Sequence, residues 1–490
     1  MAHEFPSPTW TRRQALQIGG ALVSALSAPI RSSAAPPEIS GLMKTLSEYM
    51  AAAALKPLPD AVVEKSKQMI LDTLAAMISG AQLPPGAFAI KFARAYKGDR
   101  VATVAASNVL CGPIEAAMVN GMLAHSDETD DTHPPSQSHP AASIVPAALA
   151  VGEKFGSDGT RFIRAVALGY DVGPRVTATL GRLMYMVSSH RSTHAISGTF
   201  GSAAAAACMA SLNAQQMRWL LSYTAQQASG LASWQRDTDH IEKSFDFGGM
   251  PARNGVTSAL LVEAGGTGVD DILSGADNFM QAYLPMNDPS MLVEKLGERF
   301  EITRTNVKKW TVGAPIQAPL DALENLIKRE RFEANQVSKV HVRVSTDEAK
   351  IVDNRQIPDI CLQHLVAVML LDKTVSFKSA HDEPRMQNAD VLRERAKVNL
   401  IHDVELQQLM PKRVAEVEVV LSSGKTVKER VEAVRGTSEN PMTREEIIAK
   451  ARDLIVPVMG ASSTQKLIDK IFALESVKNL TELRPLLQKG

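Results

Sequence analysis

Ala124-His125-Ser126-Asp127-Glu128-Thr129-Asp130-Asp131-Thr132-His133 opens a segment that runs on through His139-Pro140 to Pro146-Ala147-Ala148-Leu149-Ala150. Four carboxylates and three histidines fall between His125 and His139. If the preceding helix continues to Thr132, Glu128 and Thr132 share a face at i and i+4. His125 then lies on that face, and Asp127 and Asp131 share a neighbouring one. Carboxylates crowded in this way do not all ionise cheaply, so one is expected to carry a raised pKa and to act as acid or base. Two other readings stand beside this one. The segment reads equally as a solvated acidic loop. It also offers a metal site from His133, His139 and an aspartate, although the spacings match no standard ligand motif.

Three further segments carry groups of the complementary charge. His190-Arg191-Ser192-Thr193-His194 precedes Gly198-Thr199-Phe200-Gly201 and the alanine run Ala203 to Ala207. Two histidines and an arginine before a helix start suit an anion site, which the positive end of the helix would assist. A plain interhelical loop is the competing reading. Lys243 and Arg253 flank the turn Gly248-Gly249, ahead of an apolar helix. Lys308-Lys309-Trp310-Thr311-Val312-Gly313 falls where the periodicity changes. Lysines there could close over a carboxylate from a second domain. Surface lysines are common, so neither of these two segments carries an argument alone.

Periodicity sets the frame around these segments. From Gly41 to about Glu301 the apolar spacing is helical, as in Leu71, Leu74, Met77 and Ile78. Gly265-Gly266-Thr267-Gly268 follows a helix-like run and reads as an interhelical turn rather than a dinucleotide loop. After Phe300 the pattern changes. Val340, Val342 and Val344 alternate as a strand, and Val414 to Leu421 with Val427 to Val434 form a hairpin around Ser422-Ser423-Gly424. Asp359 to Leu371 and Asp390 to Lys397 read as helices between them. Thr443 and Glu446 have capping-box spacing at the start of a helical C-terminal segment.

A chain of 490 residues is too long for one compact core, so two structural domains are expected. Lys plus Arg and Asp plus Glu balance at 53 each, which gives no global charge for nucleic acid or a membrane surface. Cys111, Cys208 and Cys361 are scattered and match neither a disulfide framework nor a zinc pattern. Thr11-Arg12-Arg13-Gln14-Ala15-Leu16 precedes an apolar run from Ile18 to Ile30, then Arg31 and Ser32-Ser33-Ala34-Ala35. The run is shorter than the roughly 20 residues of a membrane span. It resembles a twin-arginine export signal over residues 1–35, with cleavage favoured after Ala34. The expected location is therefore the periplasm, with a cytoplasmic protein carrying an N-terminal extension as the alternative.

Taken together, the four segments resemble the MmgE/PrpD family, which includes 2-methylcitrate dehydratase, cis-aconitate decarboxylase and iminodisuccinate epimerase. The likeness covers about residues 40 to 480. The family pattern of Ala-His, Leu-Asp-aromatic-Asp-Asp-Thr, His-Pro and Pro-Ala-Ala-Leu-Ala is met at Ala124-His125, Glu128 to Thr132, His139-Pro140 and Pro146 to Ala150. Gly169-Tyr170-Asp171 with Arg175, Gly198 to Ala207, Lys243 to Gly255, Lys308 with Trp310, and Pro441 to Lys450 match its other elements. The departures are equally specific. Glu128 replaces the first aspartate, Thr129 replaces the aromatic residue, and Thr311-Val312-Gly313 replaces a Pro-Cys-Cys type. The histidine before Gly-x-Phe-Gly is displaced, and Lys243 is one residue out of step with Gly249.

The resemblance implies a mainly α protein. A large all-helical domain would span 40–302 and be rejoined by helices at 441–490, with a smaller α+β lid at 303–440. The active site would lie in the cleft, and the protein would be a homodimer without cofactor or metal. Its expected activity is a hydro-lyase of the 2-methylcitrate dehydratase type, acting on a small polycarboxylic acid through negative charge on a carbon next to a carboxylate. An epimerase or decarboxylase of the same family is the alternative, and a periplasmic carboxylate-binding protein without catalysis is the rival from another class. A metal hydrolase is a further reading. Lys243 and Lys308 are expected to clamp carboxylates, with Arg253 beside them. Glu128 or Asp131 would be the acid or base, and Thr132 would hold substrate. His139 and His194 would complete proton transfer, with His190 as the substitute for His194.

Overall fold

Small side chains decide how closely the helices of this protein pack. The computed structural model describes residues 38–283 and 288–489, so the twin-arginine segment lies outside the described residues. Its main helices before residue 300 are α1 (Asp60–Gly80), α2 (Pro113–Ala124), α3 (Ala141–Phe155), α4 (Gly159–Leu180), α5 (Thr193–Met209) and α6 (Met250–Glu263). The alanine-rich α5 is the centre of the bundle, packed by α3, α4 and α6. All its residues are buried except His194, which is half-buried. A Cβ on Gly173 of α4 would run into the Ser197 carbonyl of α5, so this crossing needs glycine. Helical structure ends earlier than the periodicity indicates. After Glu263 the chain makes short turns, with only Phe279–Tyr283 as α-helix before Gln317–Glu330 among the described residues.

The second half builds a four-stranded sheet. Strands β1 (Val337–Ser345), β2 (Val398–Asp403), β3 (Ala415–Leu421) and β4 (Thr426–Val431) lie in the order β2-β1-β3-β4. The expected strand at Val340 and the hairpin at Ser422-Ser423-Gly424 are both present. Strand β2 is an addition. It runs parallel to β1, with Val340 opposite Val398, after a crossover that carries α7 (Leu362–Asp372). Val340, Val342, Val417 and Val419 turn into a core shared with Leu320, Leu323, Leu365 and Val368. Among the described residues, no helix is long and apolar enough to cross a membrane.

The C-terminal helix α8 (Arg444–Met459) starts in the expected capping box, with Thr443 and Glu446 satisfying each other's backbone amides. It packs on α1, and its buried Lys450 lies 2.7 Å from Asp72 of that helix. The end of the chain thus reaches the floor under the acidic segment.

Candidate active site

The acidic segment is neither a helix nor a solvated loop. Helix α2 stops at Ala124, and residues 125–131 are buried without regular structure. The reason is local. Asp127 accepts the Thr129 amide at 3.0 Å and the Thr129 hydroxyl at 2.5 Å, a side-chain turn that competes with helical bonding. Glu128 and Thr132 therefore do not share a helix face. Two lysines hold the loop by consecutive carbonyls. Lys308 Nζ donates to the Glu128 carbonyl at 2.8 Å, and Lys450 Nζ donates to that of Thr129 at 3.0 Å.

The carboxylates divide by direction. Glu128 pairs with Lys243 and lies 3.4 Å from Lys308. Burial alone would raise its pKa, but these two ammonium groups outweigh it and hold Glu128 well below the usual range. Asp130 faces two imidazoles, His125 Nδ1 at 2.9 Å and His139 Nδ1 at 3.1 Å, with Lys308 at 3.7 Å. Burial would raise it too, yet its histidine partners keep it well below. Asp131 points away, accepting the Tyr170 hydroxyl at 2.7 Å and the Ala141 amide at 3.2 Å. Burial and then the Asp130 charge push it up to about 8. The raised pKa expected in this run thus belongs to Asp131, but the carboxylate facing the histidines is Asp130, one residue earlier.

A wall of rings completes the cluster. Phe247 stacks on His194 at 3.9 Å and on His125 at 4.4 Å between centroids, and Trp234 meets it edge-on at 4.8 Å. His139 lies 5.2 Å from both His125 and His194, and His240 lies 5.2 Å from His125. Burial lowers His139 to about 4 and His240 to about 3, and carries His194 well below its ordinary value. These three imidazoles are neutral near pH 7. His125 Nε2, His194 Nδ1 and His240 Nε2 are buried with no hydrogen-bond partner among the described residues.

Phe247 is presented by an unusual turn. Residues Phe245–Gly249 form a π-helical turn between Ile241–Ser244 and α6. A π turn takes one extra residue without interrupting the helix, and Lys243, one residue out of step with Gly249, lies just before it. Gly121 and Gly248 seat this turn against α2, since a Cβ on either would run into the other's carbonyl.

Of the residues expected from sequence, Glu128, His139, His194, Lys243 and Lys308 come together. His190 does not; it is exposed, at φ +60, and ends the helix Arg182–Ser189. Arg253 is also elsewhere, donating to Asn254 and packing over the Phe245 ring. Thr132 bridges to Asn306 and lines, with Lys308, a neighbouring cavity of about 230 Å³ bounded by Lys412 and Arg435. His133 joins Ser136 and Glu301 instead of His139, so the competing metal set of His133, His139 and an aspartate does not form.

The structure adds groups that sequence reading missed. Asp130 stood inside the acidic segment without a role of its own, and His240 lies three residues before Lys243. His381 and Asp359 gave no signal, being single residues of the α+β region that the fold brings to the loop. His381 Nε2 lies 2.9 Å from Asp127 and 3.9 Å from Asp359. Burial would lower His381, but these carboxylates raise it to about 9. Burial raises Asp359 to about 6.

Two sets could hold a metal by geometry, His125 with Asp130 and His139, and His125 with Glu128 and His240. Their carboxylates already face ammonium groups, however, Lys308 beside Asp130 and Lys243 on Glu128. A dication bound there would sit against that like charge.

Comparison with known proteins fits this geometry. The model of the MmgE/PrpD N-terminal domain matches residues 44–292, and that of the MmgE/PrpD C-terminal domain matches residues 310–474. A cis-aconitate decarboxylase of Aspergillus terreus is 25% identical over 487 residues, covering 92% of this chain and 96% of its own length. The cis-aconitate decarboxylase of Mus musculus is 25% identical over 459 residues, 88% of this chain and 90% of its own. That of Homo sapiens is 25% identical over 481 residues, 91% and 95% respectively.

Proposed function

The chain belongs to the MmgE/PrpD family, and from that premise we propose that it is a lyase of a small polycarboxylic acid, working without metal through negative charge on a carbon next to a carboxylate. One observation carries this reading: two ammonium groups, Lys243 and Lys308, converge on a single carboxylate beside the neutral imidazole of His139. That cradle is where a substrate carboxylate would be held by displacing Glu128 from one lysine.

The names of the relatives favour loss of carbon dioxide over the dehydration expected from sequence. In decarboxylation the bond from carbon to one carboxylate breaks and carbon dioxide leaves. The electron pair stays on carbon, shared with the remaining unsaturated acid, until a proton quenches it. In dehydration a base removes a proton next to a carboxylate and hydroxide leaves with a proton from an acid. Either way the lysines stabilise the developing charge, and His139, oriented by Asp130, moves the proton. A bound carboxylate brings negative charge that raises the pKa of His139, so the imidazole gains its proton together with the substrate. His194 is the second proton carrier.

The α+β region is taken as the lid of this cleft, the protein as a homodimer, and its location as the periplasm, the last resting on Arg12-Arg13. An N-terminus at Ala35 in periplasmic material would support export. For the chemistry, proton NMR in deuterated water with cis-aconitate, 2-methylcitrate, citrate and smaller dicarboxylic acids is the test. New alkene signals with released carbon dioxide indicate decarboxylation, and alkene signals from a hydroxy acid indicate dehydration. Deuterium exchange without conversion points to an epimerase. No change with any acid, from folded protein, overturns the lyase and leaves a carboxylate-binding protein.

A further inference from the structure

Each ammonium group of the cluster already faces a carboxylate before any ligand enters. Lys243 faces Glu128, and Lys308 faces both Glu128 and Asp130. On the far side, His381 faces Asp127, and Asp359 lies beyond it. The imidazoles of His139, His194 and His240 are neutral, and the rings of Phe247 and Trp234 lie beside them. Glu128 is the group that sets this balance. It stands where the family pattern has an aspartate, and its extra methylene carries the carboxylate to both ammonium groups.

We infer that Glu128 acts as a resident carboxylate that restricts the site to acids of low charge, with at most two ionised carboxylates. Glu128 can yield one lysine and keep the other, so one substrate carboxylate gains a full ammonium partner. A second is met by the shared charge of Lys308 and by neutral donors. A third would find no ammonium group left, with Asp130 buried beside it, where like charges repel strongly. The orphaned nitrogens His125 Nε2, His194 Nδ1 and His240 Nε2 suit uncharged partners such as a hydroxyl, a carbonyl or a protonated acid group. Phe247 and Trp234 give a flat face for an unsaturated carbon chain. The site would therefore favour a dicarboxylate over a tricarboxylate such as cis-aconitate.

This inference rests on the cluster being the carboxylate site of the proposed lyase, and binding tests it apart from turnover. Isothermal titration at pH 7.5 would use the full mature chain with two saturated acids, succinate and propane-1,2,3-tricarboxylate. The native protein is expected to bind the dianion at least tenfold more tightly than the trianion. Glu128→Gln, which frees both ammonium groups, should gain at least tenfold for the trianion. Glu128→Asp, which withdraws the carboxylate by one methylene, should fall between and serves if the Gln variant does not fold. Preference of the native protein for the trianion, or an unchanged ratio in a folded variant, overturns the inference and leaves the carboxylate site standing. Binding of neither acid to any variant removes the carboxylate-site reading itself, and this inference with it.

Discussion

Lys450→Met tests what holds the acidic loop in place. Lys450 and Asp72 are both 3% exposed at their side chains and lie 2.7 Å apart. The same ammonium donates to the Thr129 carbonyl at 3.0 Å. Removing one partner of a buried pair costs about 3–5 kcal/mol, because the other charge is left uncompensated. Burial already raises Asp72 against the pull of Lys450, so in the variant it would take up a proton, and the nearby Lys65 offers a second positive charge. The lower end, about 3 kcal/mol, is therefore expected. Unfolding entropy is about 2 cal/mol/K per residue, so each kcal/mol moves the melting temperature of about 450 residues by about 1 °C, and the variant should melt about 3 °C lower. Scanning calorimetry on Lys450→Met, Asp72→Leu and the double variant completes a cycle. The double variant leaves no lone charge and should lose at least about 2 kcal/mol less than the two single losses combined. Losses that add to within about 0.5 kcal/mol would refute the idea that this pair acts as a unit.

Lys243→Met and Lys308→Met should each lower kcat/KM on the identified substrate by about 10²–10³-fold, as for loss of one oriented charge-stabilising group. Both should lower the melting temperature, Lys308→Met the more, since Lys308 Nζ also holds the Glu128 carbonyl; equal melting of the two variants would remove that distinction. His139→Asn should cost about 10²–10⁴ in kcat with little change in stability, whereas His190→Ala should stay within about twofold of native; an inactive His190 variant would reverse the assignment of His194. His381 has a folded pKa raised to about 9, above its ordinary value of about 6.5. Its contribution is therefore complete below about pH 6.5 and is lost as pH rises through about 9. Urea unfolding of His381→Gln should show a deficit of at most about 3 kcal/mol at pH 6 that shrinks to near zero by pH 10; a pH-independent deficit would mean that the ring acts by packing alone.

Helix spacing and alternation made much of the architecture legible. The alanine run of α5, the alternating valines of β1 and the Thr443 capping box each write their structure into neighbouring residues. Strand β2 was missed because Val398-Asn399-Leu400-Ile401 has only partial alternation, and its pairing partner lies more than fifty residues away. The acidic segment misled in a different way. Its i, i+4 spacing is helical, but Asp127 satisfies the Thr129 amide and hydroxyl, and this local bond wins over propensity. Lys243, Lys308 and His139 were found because each sits beside a glycine or proline landmark of a recognisable segment. His381 and Asp359 have no such landmark. Only the packing of the α+β region against the loop brings them in, and a single chain read linearly contains no signal of that approach.

The π turn at Phe245–Gly249 has a consequence for how such a site can change. Each residue of an α-helix advances about 100° around the axis. One residue added within a plain α-helix would turn everything before it by that angle, whereas a wide turn absorbs the residue and leaves both flanks facing as they did. Lys243 lies before the turn and Gly255 after it, pressed on Ser202 and Ala203. The chain can thus gain a residue in this stretch while Lys243 keeps its bearing and the bundle is left untouched. Sequence length and geometry are decoupled here at one point along the chain, so a change of length at that point need not disturb the cluster or the core.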